Sequence, residues 1–185
     1  HPHPLFLMPH PLSLFRFCPV CGAPEFHIHD ARSKRCARCG FTYYLNASAA
    51  TVAVIRDAEG RLLAVRRAKD PARGTLDLPG GFVDPGEGIA EGCLREVREE
   101  VGLEGRIARF LFSLPNDYLF SGFHVPTADS FFEVTVEHPE TACAADDAGE
   151  ILWLAPHEIR PEDFGLDSIR KGISLLLSDY LAENH

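Results

Sequence analysis

The chain has 185 residues, 45% of them apolar and 24% charged, with a formal net charge of −9. That length and composition suit one ordinary globular domain with a small appendage and exclude a wholly disordered chain. No apolar run is long enough to span a bilayer, and 27 acids against 18 bases weigh against a dedicated DNA binder unless metal ions or local basic patches intervene.

Residues 1–15, HPHPLFLMPHPLSLF, alternate Pro with His, Leu and Phe and show no lasting period. They lack the basic start and small-residue cleavage site of a secretory signal, so a disordered tail is expected. Two matched knuckles follow, Cys18-Pro-Val-Cys21-Gly and Cys36-Ala-Arg-Cys39-Gly. Two thiolates in one tight turn hold half a tetrahedron, and the glycine after each pair admits positive φ. The insert, with Phe26-His27-Ile28-His29 and Arg32-Ser33-Lys34-Arg35, reads as a hairpin. A zinc ribbon over 16–45 is expected, with structural Zn²⁺ on Cys18, Cys21, Cys36 and Cys39 and no open catalytic position. Two disulfides are the alternative, and the cytoplasmic location expected for the chain favours metal. Cys93 and Cys143 are isolated, Cys93 on the apolar face of a helix.

Residues 46–185 carry a second composition. Ala49–Ile55 is a β-branched and apolar run, a buried strand. Asp57-Ala58-Glu59-Gly60 is a turn and Arg61–Arg67 a second strand, so the two are expected to pair as a hairpin. Leu76–Leu78 is a short strand that Pro79-Gly80-Gly81 breaks. Strands are also predicted over Arg106–Leu114, Ser130–Glu137 and Ile151–Leu154. One helix runs from about Ile89 to Val101 and stops at Gly102. Another runs from about Ser168 to Glu183, with Ile169, Ile173, Leu176, Leu177 and Tyr180 on one face. This mixture predicts an α/β fold, a sandwich with a mixed sheet, plus the small ribbon.

On the first helix Glu96, Glu99 and Glu100 are spaced i, i+3, i+4 and share a face. Three neighbouring carboxylates repel one another, and a hard cation such as Mg²⁺ or Mn²⁺ would relieve that. A hydrated acidic face paired with Arg95 and Arg98 is the alternative. Ala90, Cys93, Leu94, Val97 and Val101 form the adjoining apolar stripe, which would dock the helix and leave the acids at its border.

The wider spacing decides between these readings. Gly81, Glu87, Arg95, Glu96, Val97, Glu99, Glu100, Gly102 and Leu103 match Gly-x5-Glu-x7-Arg-Glu-U-x-Glu-Glu-x-Gly-U, with U aliphatic, without a gap. This segment resembles the signature box of the Nudix hydrolases. The resemblance implies an α/β/α sandwich and an Mg²⁺- or Mn²⁺-dependent enzyme that cleaves a diphosphate linkage. It also implies that Glu96, Glu99 and Glu100, with the carbonyl of Gly80, hold the metal, that Arg95 orients the acids, and that Glu87 braces the loop. The base varies in that family. Glu100 or Glu99 are candidates, and so is Glu150 before a Trp-bearing strand, which reads equally as an ordinary loop acid. Glu133 is a weaker candidate.

A zinc ribbon followed by such a domain is similar to the NADH pyrophosphatase group. That group carries Ser-Gln-Pro-Trp-Pro-Phe-Pro after the box. Here the stretch is Ser113-Leu-Pro115-Asn-Asp-Tyr118-Leu-Phe120-Ser-Gly122, which keeps only the Ser and one Pro. Tyr118, Phe120 and Phe123, read as a loop, could stack on a base or nicotinamide ring, or belong to a core or subunit interface. Arg66, Arg67 and Lys69 could steer phosphates, or simply be hydrated. The expected substrate is a nucleoside diphosphate linked to another group, such as NADH or ADP-ribose. Cap removal from RNA, with the ribbon gripping the RNA, and a non-catalytic ligand sensor are the alternatives. No membrane partner is expected, and the ribbon and the C-terminal helix each offer a surface for a homodimer.

Overall fold

The computed structural model describes residues 9–145 and 148–183. The chain divides into two compact units, His1–Ala47 with Ser121–His124, and Ser48–Phe120 with Val125–His185.

The first unit contains strands β1 (Phe26–Asp30), β2 (Ser33–Cys36) and β3 (Thr42–Tyr44), antiparallel in the order β1-β2-β3. β1 and β2 form the expected hairpin. The two Cys knuckles have the same backbone closure. Gly22 N–H donates to Cys18 O at 2.9 Å and Gly40 N–H to Cys36 O at 3.0 Å, with φ of 70° and 77° at the two glycines. Both need the left-handed conformation that glycine adopts without strain. The expected tail is partly structured. Residues 11–14 form a turn, Leu12 is fully buried, and the Phe15 ring lies 5.7 Å from Tyr43 and 5.2 Å from Phe123. Phe15 packs on the small core of this unit, and that burial offsets the chain entropy lost. Residues 1–8 lie outside the described residues.

The second unit contains β4 (Ser48–Ile55), β5 (Leu62–Arg67), β6 (Leu76–Asp77), β7 (Gly80–Phe82), α1 (Ile89–Val101), β8 (Gly105–Phe120), β9 (Phe123–Val136), β10 (Ala148–Leu154) and α2 (Asp167–Glu183), with three short 3-10 turns. β4 and β5 do not pair as a hairpin. They turn at Asp57–Gly60 and share one bridge, Arg56 with Leu62, then enter different sheets. One sheet has the order β7-β4-β9-β8, with β4 parallel to β9 and antiparallel to β7. The other is antiparallel, β10-β5-β6. Both β4 and β5 are buried on both faces, so each gains more as the centre of its own sheet than as half of a two-stranded hairpin.

The alternation of side chains then builds two cores. Val52, Val54, Leu62, Ala64 and Phe131 pack with Ile169, Ile173 and Leu176 of α2. Ala53, Ile55, Leu63, Val65, Phe132 and Val134 pack with Cys93, Val97 and Val101 of α1. Adjacent residues of one strand point to opposite faces, so the helices cover opposite sides, giving the expected α/β/α layering. On α1, Ala90 is exposed rather than part of the stripe, and Gly92 is buried. On α2, Leu177 joins the packed face as expected, and the Tyr180 side chain lies outside the described residues.

α1 ends where its caps require. Gly88 N–H donates to Glu91 Oε2 at 2.8 Å, and Gly102 at φ 66° closes onto Arg98 O at 3.1 Å. The stretch expected as a loop at 115–123 is instead the upper part of a long β8–β9 hairpin, reversing at Ser121 (φ 51°) and Gly122 (φ 74°). Pro79 ends β6, but the chain resumes at Gly80 as β7 rather than staying broken.

Gly172 sits in the middle of α2, where a Cβ would come within 2.4 Å of the buried Phe131 ring. Intrinsic propensity favours Ala there, but the ring cannot retreat in a close-packed core. Gly172→Ala is therefore expected to lower stability by about 1–3 kcal/mol, read from the midpoint of denaturant unfolding.

Candidate active site and zinc centre

In the first unit the sulfurs of Cys18, Cys21, Cys36 and Cys39 all lie within 4.8 Å of one another. Cys18 Sγ is 3.6 Å from Cys39 Sγ, and Cys21 Sγ is 3.7 Å from Cys36 Sγ. A disulfide needs about 2.05 Å. Four thiolates about 2.3 Å from a central Zn²⁺ place their sulfurs roughly 3.8 Å apart, which these spacings match. All six cysteines are free thiols. The Cys39 N–H points at Cys36 Sγ at 3.5 Å and lowers that thiol, while the neighbouring thiols push Cys39 up, a conflict that a bound cation would remove. The donor set and its spacing fit zinc. Protein purified without chelator should contain about one zinc per chain by elemental analysis, and Cys36→Ser should lose it and lower the unfolding temperature.

In the second unit the segment from Pro79 to Val83 is pinned along β4. Ala53 N–H donates to Pro79 O at 2.7 Å and Val83 N–H to Ala49 O at 3.0 Å. A side chain at either glycine of this contact would force a shift, of backbone at Gly80 and of the Glu96 carboxylate at Gly81. A Cβ on Gly80 would lie 2.0 Å from Thr51 O, and one on Gly81 would lie 2.5 Å from Glu96 Oε1. The Glu96 carboxylate thus rests directly against the strand backbone.

Arg95 ties the loop to the helix. Its Nε–H donates to Glu87 Oε1 at 2.9 Å, one terminal nitrogen to Glu96 Oε1 at 2.8 Å and Glu99 Oε2 at 3.1 Å, and the other to Phe82 O at 2.9 Å and Glu87 Oε2 at 3.0 Å. Glu87 also accepts the Asp84 N–H at 2.9 Å, and its carboxyl is held below the usual range, chiefly by Arg95. Glu96 behaves oppositely, since burial raises it despite the same arginine.

Glu100 points elsewhere. It accepts Gly80 N–H at 3.1 Å and lines a cleft of about 330 Å³, whose walls include neither Glu96 nor Glu99. Burial pushes its carboxyl up to about 8, the charges of Asp77 and Glu96 push the same way, and the Gly80 N–H opposes. Glu99 is the most exposed of the three, with 59% of its side chain open to solvent. The three carboxylates flank one loop but do not converge. Among the described residues only the four cysteines bring three or more ligand atoms within 4.8 Å. Hard oxygen donors, two of them raised by burial, nevertheless form a set that a divalent cation would stabilise.

The cleft also receives Arg66, Arg67, Lys69, Asn116, Tyr118 and Phe120. Arg67 is committed to the wall. It donates to Asp77 Oδ2 at 2.5 Å, to Pro71 O at 2.6 Å and to the Tyr118 hydroxyl at 3.3 Å. Phe82 and Tyr118 meet edge to face at 5.7 Å. Glu150 is exposed and paired with Arg66 at 2.8 Å, and it does not line the cleft. Glu133 pairs with Arg109 at 2.6 Å. Phe123 stacks on Phe15 in the first unit.

Two buried acids of the cleft escape sequence reasoning, Asp77 and Asp129. Asp129 accepts the hydroxyls of Thr127 at 2.6 Å and Ser168 at 2.5 Å. Neither belongs to a spaced pattern of acids, since Asp77 stands between Leu76 and Leu78 and Asp129 between Ala128 and Ser130, so no motif marks them.

In protein free of divalent ions, the raised Glu100 sets a pH dependence. Its folded value exceeds the ordinary 4.5, so its contribution to stability is complete below about 4.5 and is lost as pH rises through about 8. The unfolding midpoint without Mg²⁺ should fall between about pH 4.5 and 8, Mg²⁺ should restore most of the loss at the upper end, and Glu100→Gln should flatten the dependence.

Comparison with known proteins follows the same division. The Nudix domain model matches residues 46–174, and the NADH pyrophosphatase zinc ribbon domain model matches residues 13–44. A Pseudomonas entomophila (strain L48) protein named NAD-capped RNA hydrolase NudC is 29% identical over 167 residues, 88% of this chain and 56% of that protein. A Chromobacterium violaceum protein of the same name is 37% identical over 98 residues, 53% of this chain and 36% of that protein. The chain spans about half the length, or less, of the curated relatives it matches. A Nudix hydrolase structure from Nitrosomonas europaea shares the fold with a TM-score of 0.72 at 20% identity, covering 89% of this chain and 91% of that one. No helix among the described residues is long and apolar enough to cross a membrane.

Proposed function

The chain belongs to the Nudix family, and on that premise we propose that it hydrolyses the diphosphate linkage of a nucleoside diphosphate joined to another group, such as NADH or ADP-ribose. The observation that carries this reading is the carboxylate set braced by Arg95 beside a cleft with basic and aromatic walls. Glu96, Glu99 and Glu100, with the Gly80 carbonyl, would hold Mg²⁺ or Mn²⁺. When bound, such an ion neutralises the diphosphate charge and supplies hydroxide near neutral pH.

The remaining work falls to the chain. Arg95 keeps Glu96 and Glu99 from recoiling from each other by placing a positive charge between them. Glu87 fixes that guanidinium and, through Asp84 N–H, the loop it came from. Glu100 takes the proton of the attacking water, because it alone of the three helix acids lines the cleft. Arg66 and Lys69 meet the phosphates. Arg67 holds Tyr118 in the wall, and Tyr118 and Phe120 offer faces to a base or nicotinamide ring. Glu150 acts indirectly, by holding Arg66.

Removal of a nucleotide cap from RNA is the second reading. It is favoured by the names of the relatives above together with the ribbon. A screen of nucleotide diphosphates and capped oligoribonucleotides with Mg²⁺ or Mn²⁺, resolving both products, separates the two. On the best substrate Glu100→Gln should lower turnover by about two to three orders of magnitude, comparable to losing other pivotal electrostatic groups. A near-normal rate in that variant would refute the role given to Glu100.

A further inference from the structure

Of the two buried acids in the cleft, one is neutralised and the other is not. Asp77 is paired with Arg67. Asp129 is 6% exposed, and among the described residues it has no ion-pair partner. Its contacts are two hydroxyls, that of Thr127 on Oδ1 and that of Ser168 on Oδ2. Ser168 lies in the first turn of α2, so Asp129 braces β9 against that helix. A brace needs only a hydroxyl acceptor, which the amide of an asparagine supplies without burying a charge. An ionised carboxylate has about four acceptor sites. The two hydroxyls take one on each oxygen, and each oxygen keeps another.

The strand register opens a slot in front of those sites. Asp129 of β9 stands opposite Ala50 of β4, and Ala50 opposite Phe82 of β7. The three side chains share one row on one face of the sheet. Two strand spacings separate Asp129 from Phe82, about 10 Å between their Cα atoms. Within that row only the Ala50 methyl stands between them. Tyr118 meets Phe82 edge to face, and Leu166 and Ile169 also line the cleft. The slot is thus aromatic at one end, apolar on its walls and acceptor-only at the other end. In such surroundings a matched hydrogen bond is strong, and an acceptor set against the carboxylate is costly.

We propose that Asp129 determines specificity in this cleft by accepting two adjacent hydrogen-bond donors of the bound nucleoside. The inference deepens the diphosphatase reading and rests on its premise that the cleft takes a nucleotide. Two parts of a nucleoside carry such a pair, the cis-diol of a ribose and the N1–H and N2–H edge of guanine. Adenine, cytosine and uracil set an acceptor beside the donor and do not fit. A matched pair forms two charge-assisted bonds, while a ligand without it leaves the carboxylate buried and unanswered.

The test uses the whole zinc-loaded chain in Mg²⁺ and three mononucleotides, none of which has a diphosphate linkage to cleave. Isothermal titration calorimetry compares AMP with its 2′,3′-dideoxy analogue, and GMP with AMP. Wild type should lose at least about tenfold in affinity in one comparison, from AMP to the dideoxy compound where the diol is the donor pair, or from GMP to AMP where the base edge is. Asp129→Asn should bring that ratio to within about twofold of one. Its denaturant midpoint separates the two roles, because loss of a brace alone lowers the midpoint and leaves the ratio intact. Where Asp129→Asn does not fold, Asp129→Ser is read by the same ratio. Wild type that discriminates in neither comparison overturns the proposal without any variant, and so does a ratio that the variant preserves. Turnover of diphosphates without this discrimination sinks the inference alone, and discrimination in a protein that cleaves no diphosphate sinks the enzymatic reading alone.

Discussion

One guanidinium holds the loop, the strand end and two of the three helix acids together. Arg95 has five N–H donors, and each has an acceptor, two on Glu87, one each on Glu96 and Glu99, and one on the Phe82 carbonyl. No other side chain could do this, because an ammonium has three donors and no fixed plane. The arginine joins the strand end, the loop and the helix into one piece, and it is what allows carboxylates of like charge to stay at their posts before any cation arrives.

That arrangement requires the backbone to come very close. Gly81 leaves room for the Glu96 carboxylate, and Gly80 leaves room for β4. Gly92 likewise makes room for Glu87, whose Oε2 would lie 2.9 Å from an added Cβ. The glycines of the segment are thus steric conditions for the acids, and the box is one packed object in which each letter excludes alternatives at another.

This explains why some of the molecule was legible before its structure and some was not. α1 was readable to the residue because its stripe, its acids and its glycine stop are all local. The ribbon was readable because two identical knuckles repeat the same closure. The β4–β5 hairpin does not form because a good turn at Asp57–Gly60 says nothing about partners 79 to 92 residues away, which win both strands. The stretch at 115–120, read as a loop, continues β8, and because β8 is an edge strand the missing N–H of Pro115 costs little there. Asp77 and Asp129 were invisible because isolated acids have no spacing to read. The placement of Glu150 on Arg66, away from the cleft, was equally beyond sequence.

The two central strands share their residues alternately between the α1 and α2 cores, and this has a consequence for how such a chain can change over generations. A substitution within β4 disturbs one core. An insertion or deletion of one residue there would exchange the two side-chain sets, and it would also slip Gly80 from its place opposite Val52. Length variation is therefore barred from 48–55 and from 62–67, and should collect in the turn between them, where the chain leaves both sheets.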